Sequence, residues 1–351
     1  MLFFSRLRVF LVTGIIMFTL DCAVLRAQSI PFVPPSYNYG SNTYNAGSQN
    51  WSVAQGKDGV IYIANNDGLL SFDGVNWKLH LLPFNRGAKS VYVDQYAEKE
   101  RIYVGSFEEF GYFEKNTANQ LEYHSLKALL KSYTFHNDEI WTIHKLGDEI
   151  FFQSFSSYFV FDETKRTLTA YNPDPGPLFF FRAGNSLYSQ FIGDSFSQYD
   201  GKGFSPLLAR NDLRNDMIAG VVPTTSGMLL FLTKRGILSY DSGSSRLTTW
   251  NERVDYLLKN ATINRVLSLT DSTFVIGTLE DGLYAFHLDG SLLWHLNKSN
   301  GLYNNTVLGL FGDREGNVWA PLDNGISYIQ PNSPFWFYEP TSIQIGLVED
   351  M

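Results

Sequence analysis

The chain has 351 residues, with 27 Lys and Arg against 35 Asp and Glu and a net charge of −8 at pH 7. It carries no Lys/Arg run beyond its first few residues, so it lacks the clustered cations that phosphate neutralisation requires, and nucleic-acid binding is not expected. Cys22 is the single cysteine, which excludes an internal disulfide and a thiolate metal site, so a large buried core must hold the protein instead.

Residues 1–27 read as a secretory signal peptide. Arg6 and Arg8 precede an apolar run from Val9 to Leu20, and Ala27 closes a small-residue cleavage site. That run is too short to span a bilayer comfortably. Asp21 spoils the small-residue pattern that lipid modification of Cys22 would need. No second long apolar segment follows. The processed chain is therefore expected in the periplasm, tethered to the inner membrane if the protein continues past Met351.

From Gln49 to Phe335 one theme recurs seven times: an apolar strand, a polar turn, a second strand, a Gly-centred break and an aromatic strand. The second strands centre on Ile61-Tyr62, Ile102-Tyr103, Ile150-Phe151, Leu187-Tyr188, Leu229-Leu230, Phe274-Val275 and Val318-Trp319. First strands are expected at Trp51–Val53, Ser90–Val93, Ile140–Ile143, Phe179–Phe181, Ile218–Val221, Val266–Leu269 and Val307–Leu310. Third strands are expected at Leu70–Phe72, Gly111–Phe113, Tyr158–Phe161, Phe196–Tyr199, Ile237–Tyr240, Leu283–Phe286 and Ile326–Ile329. Most alternate with period two, and Gly, Asn and Asp punctuate the turns. A period of roughly 40–50 residues with several strands per unit predicts an all-β fold, a seven-bladed β-propeller of four-stranded antiparallel blades over residues 28–340. Helical signal is confined to Leu121–Leu130 and Asp255–Lys259, both placed between blades. Trp77, Trp141, Trp250, Trp294 and Trp319 recur near the strands and are expected to fill the space between sheets. Residues 341–351 resemble either the truncated start of a further repeat or a strand that closes the ring against Tyr37–Tyr44; the first option, a fragment, is the preferred reading.

Chemical motifs are sparse. The six histidines share no metal-ligand spacing, and no cofactor is implied. Asp313-Arg314-Glu315-Gly316-Asn317 has its Gly too early for a calcium loop and aligns with the turn at Lys57-Asp58-Gly59. Gly193-Asp194-Ser195 aligns with Asn66-Asp67-Gly68, which makes Ser195 a loop residue and not a nucleophile. Adjacent Glu108 and Glu109 point to opposite sides of an extended backbone, a poor arrangement for a cooperating acid and base.

Propeller geometry offers a better site. Loops that lead into first strands and loops that join second to third strands open on one face. That face is expected to gather Gln49, Asn50, Asn65, Asn66, Arg86, Lys89, Glu108, Glu109, Arg182, Lys234, Arg235, Asn264, Arg265, Asn304, Asn305 and Asp323. Trp51, Phe107, Phe155 and Phe191 lie beside them in sequence. Amides, guanidinium groups and rings around a concavity suit a polar, hydroxyl-rich or acidic ligand.

The units resemble the two-component-regulator propeller repeat, with Ile102-Tyr103-Val104-Gly105 and Phe274-Val275-Ile276-Gly277-Thr278 followed by Asp281-Gly282-Leu283-Tyr284 as good copies. The stretches Tyr44–Trp51, Asn65–Gly74 and Tyr103–Phe113 resemble more particularly the amino-terminal sensor region of Bacteroidetes triple-tyrosine regulators with helix-turn-helix or histidine-kinase outputs. Units three to five depart from the pattern, as at Phe151-Phe152-Gln153. The resemblance implies a periplasmic sensor, not an enzyme, for a small-molecule or oligosaccharide ligand, often a glycan breakdown product, coupled to transcription. It implies downstream triple-tyrosine, membrane and output domains as partners if the chain is a fragment, and leaves a homodimer open. An exported polysaccharide lyase or glycosidase and a protein-interaction scaffold are the alternatives.

Overall fold

Alternating apolar residues between tight turns give each unit one sheet with two buried faces, and sheets of that kind are stable only when stacked on neighbours. The computed structural model describes residues 32–94 and 99–338. Among them are seven four-stranded antiparallel sheets, the blades of a propeller spanning Val33–Phe337. From innermost to outermost strand, blade 1 runs from Asn50–Gln55 to Trp77–His80, blade 2 from Ala88–Val93 to Leu121–Ser125, and blade 3 from Thr142–Leu146 to Thr167–Tyr171. Blade 4 runs from Pro177–Ala183 to Phe204–Leu208, blade 5 from Ile218–Pro223 to Arg246–Thr249, and blade 6 from Ile263–Ser268 to Leu292–Leu296. Blade 7 draws its inner three strands from Phe311–Gly312, Val318–Pro321 and Ile326–Ile329. Its fourth comes from the other end of the propeller, Ser36–Tyr39. Tyr37 opposes Tyr328 and Tyr39 opposes Ile326, so ladder hydrogen bonds close the ring. Residues 341–351, the other stretch considered for that closure, lie outside the described residues, as do residues 1–27, the stretch expected to be a signal peptide. No helix among the described residues is long and apolar enough to cross a membrane.

The core sits between blades. One cluster joins Tyr62, Ala64 and Leu69 of blade 1 to Val91, Val93, Ile102 and Val104 of blade 2; the next joins Tyr103 and Phe110 to Ile143, Phe152 and Phe159. Phe110 lies 4.7 Å from the Phe152 ring and 4.8 Å from the Phe159 ring. Each such fully buried ring contributes roughly 2–3 kcal/mol by area. Trp294 and Trp319 are buried in this way, and Trp77 and Trp250 pack against the same kind of cluster. Trp141 differs, as described below.

The glycine of the repeat core has a specific job. A Cβ on Gly105 would lie 2.4 Å from Ile140 Cγ2, and one on Gly277 would lie 2.5 Å from Val307 Cγ1. Ile140 and Val307 each lead into the next blade, and their amides donate to the carbonyls of Ser106 and Thr278. Thr233 and Leu322 accept from Ile263 and Asn50 in the same manner, the last bond running from blade 1 back to blade 7. Where unit four has Gln190 in place of the glycine, its amide takes over part of the role: Nε2 donates to Asp216 O and Oε1 accepts from Ile218 N of blade 5.

Three expectations needed correction. Leu121–Ser125 is the outer strand of blade 2, paired with Gly111–Lys115, and only Lys127–Leu129 makes a helical turn. Alternation at Leu121 and Tyr123, which pack on the blade 1–2 core, overrides the helical propensity there. The second expected helix starts earlier, at Glu252–Leu257, because the Asn251 side chain caps the Arg253 and Val254 amides. In blade 7 the innermost ladder is Phe311–Gly312 instead of Val307–Leu310: the Leu308 and Gly309 amides both donate to Pro321 O, and Pro321 has no N–H to return.

Candidate functional site

Inner strands of successive blades touch, leaving a central channel with a cavity of about 270 Å³. Residues of all seven inner-strand segments border it. Its upper mouth is the end at which the chain enters the inner strands. There Trp51 of blade 1 meets Trp141 of blade 3 edge to face, at 5.6 Å between centroids. Trp141 stacks on Phe155 at 5.6 Å, and Phe155 meets Phe179 of blade 4 edge to face at 5.3 Å. This continuous aromatic arc is held together by ring–ring contacts worth about 1 kcal/mol each beyond burial.

Two cations lie on the arc. Lys89 of blade 2 places Nζ 3.9 Å from the Trp51 ring and 5.8 Å from the Trp141 ring. It also donates to Asn66 Oδ1 at 3.3 Å and lies 3.5 Å from Glu139 Oε1. Burial lowers its ammonium pKa, and the neighbouring Glu139 carboxylate only partly offsets this. Arg265 of blade 6 sets its guanidinium 4.7 Å from the Phe179 ring. Blade 5 offers only Ala219, Gly220 and Val221 between them, so the wall there is low.

Behind the arc runs a polar relay. Gln49 Nε2 donates to Asp323 Oδ1 at 2.6 Å, Asn66 Nδ2 donates to Gln49 Oε1 at 2.7 Å, and Trp51 Nε1 donates to Asn66 Oδ1 at 2.7 Å. Gln49, Asn66 and Asp323 thus orient Trp51 and Lys89 from beneath.

The remaining sequence-predicted residues fall into separate places. Asn50 and Asn65 are fully buried: Asn65 Nδ2 donates to Asn50 Oδ1, Gly47 O and Gln49 O, and Asn50 Nδ2 donates to Tyr44 Oη, Ser48 O and Gly325 O. Glu109 is buried toward the outer strand, accepting from Tyr123 Oη and Ser125 Oγ, while Glu108 turns the other way and accepts from Asn137 N. Arg86 donates to Glu108 O. Lys234 and Arg235 lie on the rim, where Arg235 Nη1 donates to Arg214 O and the Lys234 amide to Asp216 Oδ2. Asn264 fixes the start of blade 7 through Val307 O, and Asn304 and Asn305 accept from the Thr306 and Lys298 amides. Arg182 sits at the far end of the channel, next to the hairpin that pairs Ala183 with Ser186. Of the four aromatics named from sequence, Trp51 and Phe155 join the arc, Phe107 is exposed, and Phe191 packs on Phe204 within blade 4.

Trp141 and Phe179 are the residues that sequence reasoning missed at this site. The signal was present: both lie at the start of expected inner strands, Trp141 at the register of Trp51 and Phe179 one residue on, at that of Ser52. Ser195 is buried and hydrogen-bonded to Ser197, and Asp313 caps the Glu315 and Asn317 amides of a hairpin turn.

No family model matches the chain, and no curated protein matches it. Solved structures do. The extracellular domain of BT4673 from B. thetaiotaomicron, described once as a one-component and once as a hybrid two-component system, aligns with TM-scores of 0.67 and 0.66 at 19% and 18% identity. Both alignments cover 86% of this chain and 40% of that one. The extracellular domain of the hybrid two-component system BT3049 from the same organism aligns with a TM-score of 0.62 at 16% identity, over 87% of this chain and 42% of that one. A streptogramin B lyase aligns with a TM-score of 0.63 at 12% identity, over 86% of this chain and 98% of that one. At such identities the likeness establishes the fold. The chain spans about two fifths of the length of these B. thetaiotaomicron domains, which are extracellular domains of one- and two-component systems.

Proposed function

We propose that this chain is the extracytoplasmic, ligand-sensing propeller of a membrane-spanning transcriptional regulator, exported to the periplasm and binding a small glycan-derived molecule in the upper mouth of its channel. The observation that carries this reading is the mouth itself: a fixed aromatic arc, two cations and a supporting relay around a cavity of about 270 Å³. Flat apolar walls with a few placed polar groups are the usual make-up of a small-molecule site. The likeness to extracellular domains of signalling proteins supports the same reading.

The enzyme alternative called for convergent carboxylates, or a Tyr or His base beside Arg. Among the described residues lining the channel there is no Asp or Glu. The His there, His144, has its Nε2 against Phe180 O and its pKa pushed down to about 4 by burial, a weak base. Thermal unfolding of the purified chain against a panel of neutral and acidic saccharides tests the proposal. Ligand at a hundred times its dissociation constant adds about 2.7 kcal/mol of stability. A flat response across the panel overturns ligand sensing by this chain, and release of product from the same saccharides would replace it with catalysis.

A further inference from the structure

The two cations at the mouth are not equivalent. Lys89 has Glu139 within 3.5 Å, and the half-buried cations Arg101 and Lys145 elsewhere each contact two carboxylates. Arg265 differs. Among the described residues it forms no ion pair, and its recorded hydrogen bonds run from Nη1 alone, to Asn264 O at 2.8 Å and Asn264 Oδ1 at 3.4 Å. The rest of a five-donor planar fork remains at the channel wall, braced by the Phe179 face. Arg265 is half-buried, and burial pushes its pKa down to about 10 with no carboxylate of its own offsetting the shift. Such a charge persists where a ligand completes it, and a planar guanidinium fits a carboxylate or sulfate through two parallel hydrogen bonds. At this mouth Lys89 is offset by Glu139, and Asp323 is held in the relay through Gln49, so Arg265 is the cation there without a carboxylate partner among the described residues.

We propose that the channel mouth recognises an anionic sugar, its carboxylate or sulfate seated on Arg265 and its ring lying against the Trp141–Phe155–Phe179 arc. This rests on the ligand-sensing reading above and specifies the ligand class for it. The cavity, about 270 Å³, has room for one or two sugar rings.

The test is calorimetric titration of the full chain with D-glucuronate, D-galacturonate and N-acetylglucosamine 6-sulfate, each beside its neutral parent sugar. At least one anion should bind saturably and tenfold or more tighter than its parent; uronate against sulfated sugar then separates the two sources of negative charge. Arg265→Gln should abolish that preference while the melting temperature stays within a few degrees of wild type. Arg265→Lys, which keeps the charge and loses the fork, should fall between and serves if Arg265→Gln does not fold. Trp141→Ala should weaken charged and neutral sugars alike. Neutral parents binding as tightly as the anions, or an anion preference that survives Arg265→Gln, overturns the proposal while ligand sensing stands. Binding of none of these sugars overturns the anion site, and if the wider panel is also silent the sensing reading falls with it.

Discussion

Gly105→Ala should be among the most damaging single-methyl changes in this propeller. The added Cβ would lie 2.4 Å from both Ile140 Cγ2 and Ser90 Oγ, and 2.6 Å from Ile140 Cβ. Carbon contacts need about 3.5–4.0 Å, so blades 2 and 3 must separate locally by roughly 1 Å. Neither neighbour can swing away into solvent, because Ile140 is 0% and Ser90 2% exposed. Overpacking of this kind costs about 1–3 kcal/mol. The Ser90 hydroxyl also donates to Ile140 O at 2.8 Å, and displacing it adds about 1 kcal/mol. The sum, about 3 kcal/mol, corresponds to a fall in melting temperature of about 5 °C for a propeller of this size. Urea titration followed by tryptophan fluorescence measures it directly. Gly203→Ala is the control, since nothing lies within 4 Å of its Cβ position. If Gly105→Ala unfolds within about 0.5 kcal/mol of wild type, the close approach between blades is not what the glycine secures.

Other expectations follow from the same contacts. His80 and His144 both have pKa values pushed down to about 4, His80 by burial and the nearby Lys78, His144 by burial above all. The unfolded chain then binds more protons between pH 6.5 and 4, so stability is full above about 6.5 and falls as pH drops toward 4, by up to about 3 kcal/mol for His144 and by less for the partly exposed, solvent-screened His80. A His144→Gln variant whose acid unfolding curve matches wild type would refute that assignment. Asn50→Ala should loosen the ring seam by about 2–3 kcal/mol, since the Asn65 amide and the Gly325 carbonyl lose a buried partner. Hydrogen exchange checks it: amides of Ser36–Tyr39 should speed up ahead of those in blade 4. Arg101 contacts Glu114 and Glu163 at 3.2 Å each, across blades 2 and 3. A double-mutant cycle of Arg101→Met with Glu163→Gln should give a coupling of about 1 kcal/mol, and a value below about 0.3 would mean that the network contributes little.

Much of the molecule was legible in its residues because a strand leaves a local signature. Each second strand and each third strand appears where alternation and turn residues put it, from Ile61–Asn65 to Ile326–Ile329. The repeat also predicted which loops share a face, and the Asp323–Gln49–Asn66–Trp51 relay links loops of blades 7 and 1 on that face. What local pattern could not convey is which polar loop residues face the lumen. Asn50 and Asn65 look like ligand contacts in sequence, yet their amides are consumed inside the protein. Trp141 looks like the other blade tryptophans and differs only in standing at an inner-strand start.

The residues alone therefore determined the class, the number of blades and the turns, because period-two alternation and a repeated glycine act within one unit. Only the assembled ring decided the site. Closure by Ser36–Tyr39 against Ile326–Ile329 brings blade 1 beside blade 7, and the curvature of the ring sets Trp51, Lys89, Trp141, Phe179 and Arg265 around one opening. These five residues span more than half the chain, and their proximity follows from how blades stack around an axis, not from any spacing between them.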